Sequence, residues 1–224
     1  MAYLAMENVG DLANDGKNQF RRTYLEPLLQ RLESQRRKTT WFKLDALEVG
    51  VASSRPRLFV LAGPAGGGAP PTKQDLKLPA PAKPRTQREV IGGGFVDLDP
   101  AFLPLLPNEY CLYRGIPGGK DYSASPLGRK YASLKGIRSG NFLRRRGWDE
   151  PANCIMASVH SIGRVSNVHP GSLRRYSVGE AKALLGVPQK YWLAGPPEER
   201  LRQLGNGVAP EVARIIATAI VERS

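Results

Sequence analysis

An apolar run at the beginning of the chain constrains the fold more than any other feature of the sequence. Residues 3–6 read Tyr-Leu-Ala-Met and are followed at once by Glu7-Asn8, which indicates a buried strand with polar residues at its carboxyl end. In open α/β sheets that end of a strand is where ligands bind. Because no βα unit precedes residue 3, we expect this chain to build only part of a doubly wound sheet.

Later patterns predict a mixed α/β core with a second lobe. From Phe20 to Gln35 apolar residues recur at helical spacing, and residues 41–44 and 58–62 read as strands. Residues 63–84 are rich in Gly and Pro and indicate a mobile linker. Residues 88–168 are rich in Gly, Ser and aromatic residues and suggest irregular strands and loops, whereas residues 177–185 and 210–221 carry helical patterns.

The charge of the chain indicates a polyanionic partner. Its formal net charge is +13, and such a surplus of Lys and Arg attracts phosphates and gains entropy from released counterions. Nucleic acid is the leading candidate and a membrane surface the alternative. No apolar stretch approaches the roughly 18 residues of a spanning helix, and the N-terminus lacks the features of a signal peptide. We therefore expect a cytoplasmic protein.

The cysteine and histidine content argues against a metal site. The chain has two cysteines, Cys111 and Cys154, and two histidines, His160 and His169. Neither a disulfide framework nor a CxxC pattern is present, so we expect no structural zinc and no other metal.

Four separated motifs follow one another along the chain. They are Glu7-Asn8-Val9, residues 45–59 with Arg55-Pro56-Arg57, residues 148–180, and residues 203–210. In this order they resemble the motifs of the DNA (cytosine-5) methyltransferase family, from its ENV motif to its tenth motif. The resemblance covers residues 1–62 and roughly 145–221, and it implies a methyltransferase that uses S-adenosylmethionine.

The ENV motif implies a catalytic role for Glu7. In the family this glutamate hydrogen-bonds the flipped cytosine and protonates its ring nitrogen while a cysteine attacks the neighbouring carbon. A protonated ring is a better electron sink, so a carboxyl group that gives up a proton lowers the barrier to addition. Taken alone, a glutamate in this position is more commonly structural.

The segment Ala52-Ser53-Ser54-Arg55-Pro56-Arg57 is similar to the eighth motif, whose Arg-x-Arg contacts the target base and a nearby phosphate. Two arginines separated by one residue on an extended segment can point the same way, and a fork of fixed donors suits that role. The resemblance implies catalytic roles for Arg55 and Arg57. Ala52-Ser53 replaces the usual Pro-Gln, and a solvated pair of surface arginines is the alternative.

The ninth and tenth motifs imply a cofactor loop. Residues 174–180 resemble the ninth motif, with Ser177 and Gly179 where the family generally has Thr and Arg, and Ser177 with Glu180 predicts a capping box. Residues 203–210 resemble the tenth motif, which closes over S-adenosylmethionine. The resemblance assigns cofactor binding to Asn206, Gly207 and Val208, since a glycine turn lets backbone NH groups approach a ligand.

Between the eighth and ninth motifs the family carries a target-recognition domain, which we expect at residues 85–168. A basic stretch interleaved with aromatic residues favours phosphate and groove contact. A face that serves only solubility is the alternative. The candidate DNA-binding residues are Arg129, Lys130, Lys135, Arg138, Arg144, Arg145 and Arg146.

Two family elements have no counterpart in this sequence. They are the Gly-rich cofactor loop and the Pro-Cys nucleophile motif, both of which precede ENV in the family. Cys111 and Cys154 have no proline before them and are expected to be small buried hydrophobic residues. We therefore expect no methyl transfer by this chain alone and predict a heterodimer in which a second polypeptide supplies both elements.

Other functions stay open at this point. A DNA-binding regulator or a decayed methyltransferase fragment needs the basic lobe but neither Glu7 nor the cofactor loop. An RNA-binding protein explains the charge and none of the motifs.

The expected fold is α/β: a partial Rossmann-like, S-adenosylmethionine-dependent methyltransferase core with an inserted mixed, loop-rich target-recognition domain. We assign residues 1–62 and 169–224 to the catalytic α/β domain, 63–84 to a linker and 85–168 to the recognition domain. Half a sheet exposes apolar surface, so we expect aggregation without the partner.

Overall fold

The computed structural model describes residues 2–14, 19–79, 83–158 and 167–223, so His160 lies outside the described residues. These residues form strands β1 (Leu4–Val9), β2 (Thr39–Asp45) and β3 (Pro56–Ala62). Their α-helices are α1 (Glu26–Ser34), α2 (Gln87–Ile91), α3 (Pro107–Tyr113), α4 (Pro126–Leu134), α5 (Val178–Leu184), α6 (Pro197–Asn206) and α7 (Pro210–Val221). Short 3-10 turns cover Gly10–Ala13, Ala46–Val49, Lys73–Asp75 and Tyr122–Ala124, and a π-helical turn, Arg21–Leu25, precedes α1.

The chain divides into two compact units. The first, here called the sheet unit, contains Met1–Val49, Pro56–Pro81 and Glu211–Ser224. The second, the helical unit, contains Gly50–Arg55 and Ala82–Pro210. These boundaries differ from the functional segments expected from the motifs, because residues 169–210 belong to the same compact unit as residues 85–158. The functional assignment of the segments stays a prediction.

The three strands form one sheet in the order β1-β3-β2. Strand β3 is antiparallel to both neighbours, so β1 and β2 run parallel to each other. The expected strands are therefore confirmed, but the expectation that β1 is buried is wrong. Leu4 and Val9 are 44% and 52% exposed, because β1 pairs with a described strand on one side only. Glu7 and Asn8 also lie within β1 and not beyond its end.

Strand β3 is the centre of the sheet unit. Leu58 and Val60 belong to an apolar cluster with Leu25 and with partly buried leucines of α1. Phe59 and Leu61 point to the opposite face by the alternation of a strand and are buried as well. With both faces covered, β3 is a rigid support for Arg57, its second residue.

The described part of the Gly- and Pro-rich segment contacts the C-terminal residues of the chain. Asp75 forms an ion pair with Arg223, Lys77 forms another with Glu222, and Leu76 is buried. The charged side chains of this segment find partners beyond α7, and the role of the segment as a linker stays a prediction. Contacts between residues so far apart in sequence have no local pattern that predicts them.

The helical unit contains two apolar clusters. One gathers residues of α2, α5 and α6, and the other gathers residues of α3 and α4 with Phe142 and Leu143. The expectation of irregular strands in this region is wrong: its described part holds three short helices and only isolated β-bridges. These helices have 5–9 residues, which is too short for a 3.6-residue period to be evident.

The expectation that no stretch is long and apolar enough to span a membrane is wrong for one segment. By length and composition, Pro197–Val221 is long and apolar enough to cross a membrane. The structure divides it into α6 and α7, and Leu201, Leu204 and Ile215 are buried within the protein.

Candidate functional site

Glu7 and Arg57 are neighbours in the sheet unit. In the register of the sheet Glu7 faces Phe59 and Val9 faces Arg57, so Glu7 and Arg57 are diagonal neighbours on one face. That face is opposite the one that carries Leu58 and Val60. Nε of Arg57 lies 2.8 Å from Oε1 of Glu7 as an ion pair. Oε1 is buried and has no hydrogen bond of good geometry from the described residues, so its contact with Arg57 is an ion pair and not a well-aligned hydrogen bond.

Arg55 has a different environment within the helical unit. It is only 2% exposed, and its guanidinium donates to three backbone carbonyl groups. The distances are 3.1 Å from Nη1 to Ile155 O, 2.7 Å from Nη2 to Gly205 O and 2.5 Å from Nη2 to Gly207 O. A guanidinium so occupied does not support the interpretation of Arg55 as a residue that contacts the target base.

The tenth-motif residues lie at the end of α6. Asn206 is the last residue of that helix, and the turn is formed by Gly207, Val208 and Ala209 before α7 begins at Pro210. Asn206 is exposed, and its side chain makes no hydrogen bond among the described residues. Its amide is therefore available to a ligand.

A cavity of about 270 Å³ lies beside this turn. Its wall is mainly apolar and includes Gly207 and Val208, two of the residues predicted to bind the cofactor. The sequence did not single out the rest of the wall, although the Gly186-Val187-Pro188 turn after α5 is a local signal. The lining residues are Leu185, Val187, Pro188, Tyr191, Leu193, Gln203, Leu204, Gly207, Val208, Ala209 and Pro210.

The ninth motif forms a buried polar network at the start of α5. Ser177 and Glu180 make the predicted capping box, with Ser177 Oγ accepting from the Glu180 N–H at 2.9 Å. Burial opposes ionisation of Glu180, but hydrogen bonds from Arg174 and the Ser177 N–H outweigh it and lower the pKa of this carboxyl. For His169, burial disfavours the charged imidazolium and so lowers the pKa. Its Nε2 lies 3.5 Å from Oε1 of Glu180. These residues fix the start of α5.

The candidate DNA-binding residues fall into two groups. Arg144 and Arg146 are partly buried and bind Glu150, and Arg145 is buried and donates to the carbonyl groups of Ile116 and His169. Burial lowers the pKa of Arg145. The prediction that Arg145 contacts DNA is contradicted by this burial. The exposed members of the set are Arg129, Lys130, Lys135 and Arg138.

We expect Gly205→Ala to destabilise the helical unit by about 1–3 kcal/mol, the usual cost of overpacking. A Cβ at this position would lie 2.2 Å from Ala157 N and 2.5 Å from Met156 C, which are backbone atoms that cannot turn away. Urea denaturation followed by fluorescence measures the change. Gly207→Ala is the matched control, because its Cβ would meet nothing closer than 3.4 Å. Equal stability of both variants would contradict the prediction.

A family model for C-5 cytosine-specific DNA methylases matches residues 2–222. The chain belongs to this family. A stretch of 81 residues is 37% identical to the Type II methyltransferase M.AgeI of Thalassovita gelatinovora and covers 36% of this chain and 18% of that protein. A stretch of 151 residues is 31% identical to DNA (cytosine-5)-methyltransferase CMT1 of Oryza sativa subsp. japonica and covers 66% of this chain and 14% of that protein.

Solved methyltransferase structures share the fold. The crystal structure of S. pombe Dnmt2 methyltransferase aligns with a TM-score of 0.63 at 14% identity, covering 99% of this chain and 66% of that one. A putative DNA modification methyltransferase encoded within an E. coli prophage aligns with a TM-score of 0.61 at 17% identity, covering 98% and 69%. The chain thus has the family's α/β fold with a small sheet and spans about two thirds of these structures.

One departure from the family's ninth motif has a steric reason. Gly179 stands where cytosine-5 methyltransferases generally have Arg. A Cβ on Gly179 would lie 1.9 Å from Oδ1 of Asp97, and Asp97 is held by the hydroxyl of Ser177 at 2.6 Å. A side chain at position 179 would therefore clash with Asp97.

Proposed function

We propose that this chain is the DNA-recognising component of a split DNA (cytosine-5) methyltransferase that acts with a second polypeptide. The observation that supports this most directly is the Glu7–Arg57 pair, a partly buried carboxylate beside a guanidinium on one face of the sheet. The partner would supply the Gly-rich cofactor loop and the nucleophilic cysteine. Cys111 is exposed and Cys154 is partly buried, and neither follows a proline.

The chemistry assigned to the pair follows from its charges. Glu7 would hold the cytosine ring nitrogen and deliver a proton to it, which makes the ring a better acceptor for the partner's thiolate. Arg57 would donate to the base as a fixed fork of N–H groups. Cytosine would have to leave the duplex for these contacts to form.

The residues beside the cavity fit one part of S-adenosylmethionine. An apolar wall with Gly207 and Val208 suits an uncharged portion of the ligand, and the exposed Asn206 amide offers hydrogen bonds. When bound, the cofactor supplies an electrophilic methyl group. The lining residues include no carboxylate and no cation, so the ligand's charged groups and ribose would need the partner's Gly-rich loop.

The exposed edge of β1 suits the second polypeptide. Among the described residues β1 pairs with β3 alone, which leaves one row of backbone N–H and C=O groups for another strand. Leu4 and Val9 are exposed along it. We assign the assembled enzyme to the cytoplasm, where duplex DNA and the partner would meet it.

The function is tested by transfer of a labelled methyl group from S-adenosylmethionine to duplex DNA. The chain is assayed alone and mixed with a polypeptide that carries the Gly-rich and Pro-Cys motifs. Transfer only in the mixture supports the proposal. Transfer by the chain alone contradicts it, and DNA binding without transfer in either sample favours a DNA-binding regulator or a decayed enzyme.

We expect the exposed basic residues of the helical unit to set the salt dependence of DNA binding. Each phosphate contact contributes about 0.9 to the magnitude of the slope of log K against log salt, so replacing the four by alanine should reduce that magnitude by about 3.6. Fluorescence anisotropy with a labelled duplex, titrated at several salt concentrations, measures this. The replaced residues are Arg129, Lys130, Lys135 and Arg138.

The matched control removes four exposed charges from the sheet unit: Arg22, Arg31, Lys38 and Lys43. It lowers net charge equally, and we expect its slope to stay within about 1 of the starting value. Equal losses in both variants would mean that overall charge, and not this set, drives DNA binding. Competition by RNA at the same salt tests the RNA-binding alternative.

A further inference from the structure

Arg55 joins two segments of the helical unit that are distant in sequence. One is the segment that contains Ile155, and the other is the end of α6 with its following turn. Nη1 reaches Ile155 O at 3.1 Å, and Nη2 reaches both Gly205 O and Gly207 O. Nη1 also lies 3.7 Å from Sγ of Cys154. A single buried guanidinium therefore determines where the turn lies relative to residues 154–155.

The position of the guanidinium suits its charge. The carbonyl groups at the carboxyl end of a helix carry partial negative charge and lack partners within the helix. Gly205 is in the last turn of α6, and Gly207 is the first residue after it. Arg55 thus caps α6 with a cation and also holds the first carbonyl of the turn. The backbone of Gly205 packs directly against that of Met156 and Ala157, so the two segments are in contact beside the guanidinium.

We propose that the two arginines of the Arg-x-Arg motif have separate roles, and that Arg55 is a positioning residue for the cofactor turn. Arg55 holds Gly207 and thereby Val208 at the cavity wall, whereas Arg57 lies beside Glu7. The assignment of the turn to S-adenosylmethionine rests on the proposed function. The clamp itself rests only on the contacts of Arg55.

Arg55→Lys is the informative substitution because it keeps the charge and removes the fork. One ammonium group on a flexible stem does not reproduce the planar set of donors that reaches three carbonyl groups. Arg145→Lys is the matched control. Arg145 is also buried and also donates to backbone carbonyl groups, those of Ile116 and His169, but it makes none of the contacts to the turn.

The first measurement is amide hydrogen exchange of residues 205–209 in the full chain, with the partner added if it is needed for solubility. We expect Arg55→Lys to speed exchange at least about tenfold at Gly207, whose N–H donates to Gln203 O and Leu204 O, as the turn opens locally. Arg145→Lys should leave these amides unchanged. Unchanged exchange in Arg55→Lys would overturn the clamp, and this outcome does not depend on any methyltransferase activity.

The second measurement separates cofactor from DNA in the reconstituted enzyme. We expect Arg55→Lys to raise the KM for S-adenosylmethionine at least about tenfold, as small displacements of positioning groups do, with duplex affinity within about twofold of the starting value. Arg145→Lys should leave this KM unchanged. A loss of kcat or DNA affinity with an unchanged KM, as expected for Arg57→Lys, would overturn the positioning role.

Failure of the proposed function is distinguishable from failure of the role proposed for Arg55. If the unsubstituted mixture neither binds S-adenosylmethionine nor transfers methyl groups, the function is wrong, and the exchange measurement still decides whether Arg55 holds the turn.

Discussion

Glu7→Gln should lower the rate of methyl transfer in the reconstituted enzyme by about 10²–10⁴-fold, the usual contribution of a general acid or base. Glutamine has the shape of glutamate and can still accept a hydrogen bond, but it has no carboxyl proton to give. It also removes the charge that pairs with Arg57 at 2.8 Å. Single-turnover methyl transfer with saturating cofactor and DNA measures the chemical step.

Glu48→Gln is the control for the loss of one paired carboxylate from the sheet unit. Glu48 forms an ion pair with Lys73 at 2.7 Å and makes no contact with Glu7 or Arg57 among the ion pairs of the described residues, and we expect this variant to keep the original rate. Duplex affinity should be similar in both variants. A Glu7→Gln enzyme with the original single-turnover rate would remove the basis for placing the reaction at this pair.

The largest expected loss of stability follows from breaking the buried pair of Glu109 and Arg175. Nη2 of Arg175 lies 2.8 and 2.6 Å from the two carboxylate oxygens of Glu109, and both residues are buried. Glu109→Ala leaves the guanidinium buried without its counter-charge, which should cost about 3–5 kcal/mol of unfolding free energy. Urea denaturation monitored by circular dichroism measures it.

The pair also joins α3 to the ninth motif, since Glu109 lies in α3 and Arg175 lies two residues before Ser177, the N-cap of α5. The double variant Glu109→Met with Arg175→Met is the control, because it removes both charges and keeps apolar volume. We expect it to recover most of the loss, since replacing a whole buried pair is often neutral. A single variant that costs less than about 1 kcal/mol would show that the pair is solvated.

The prediction from sequence was accurate where a pattern is local. The capping box of Ser177 and Glu180 is confirmed with both hydrogen bonds present, because it involves residues three apart. The strands, the continuous helical run Arg21–Ser34 and α7 are confirmed for the same reason, since their periods repeat over many residues. The short helices α2 to α4 were missed because five to nine residues show too little of a helical period.

The sequence by itself determined the family, the strands and the placement of Glu7 in the first strand. The reason is that each motif and each periodic pattern lies within a short stretch of consecutive residues. Only the tertiary structure decided which arginine meets which partner. Arg55 and Arg57 are separated by one residue, yet one is buried against three carbonyl groups and the other pairs with Glu7. Likewise, Arg145 was a candidate for DNA binding in the sequence, and in the structure it is buried and donates to backbone carbonyl groups. The physical reason is that a guanidinium is placed by carbonyl and carboxylate groups up to about 150 residues away in sequence, and those contacts are absent from any local pattern.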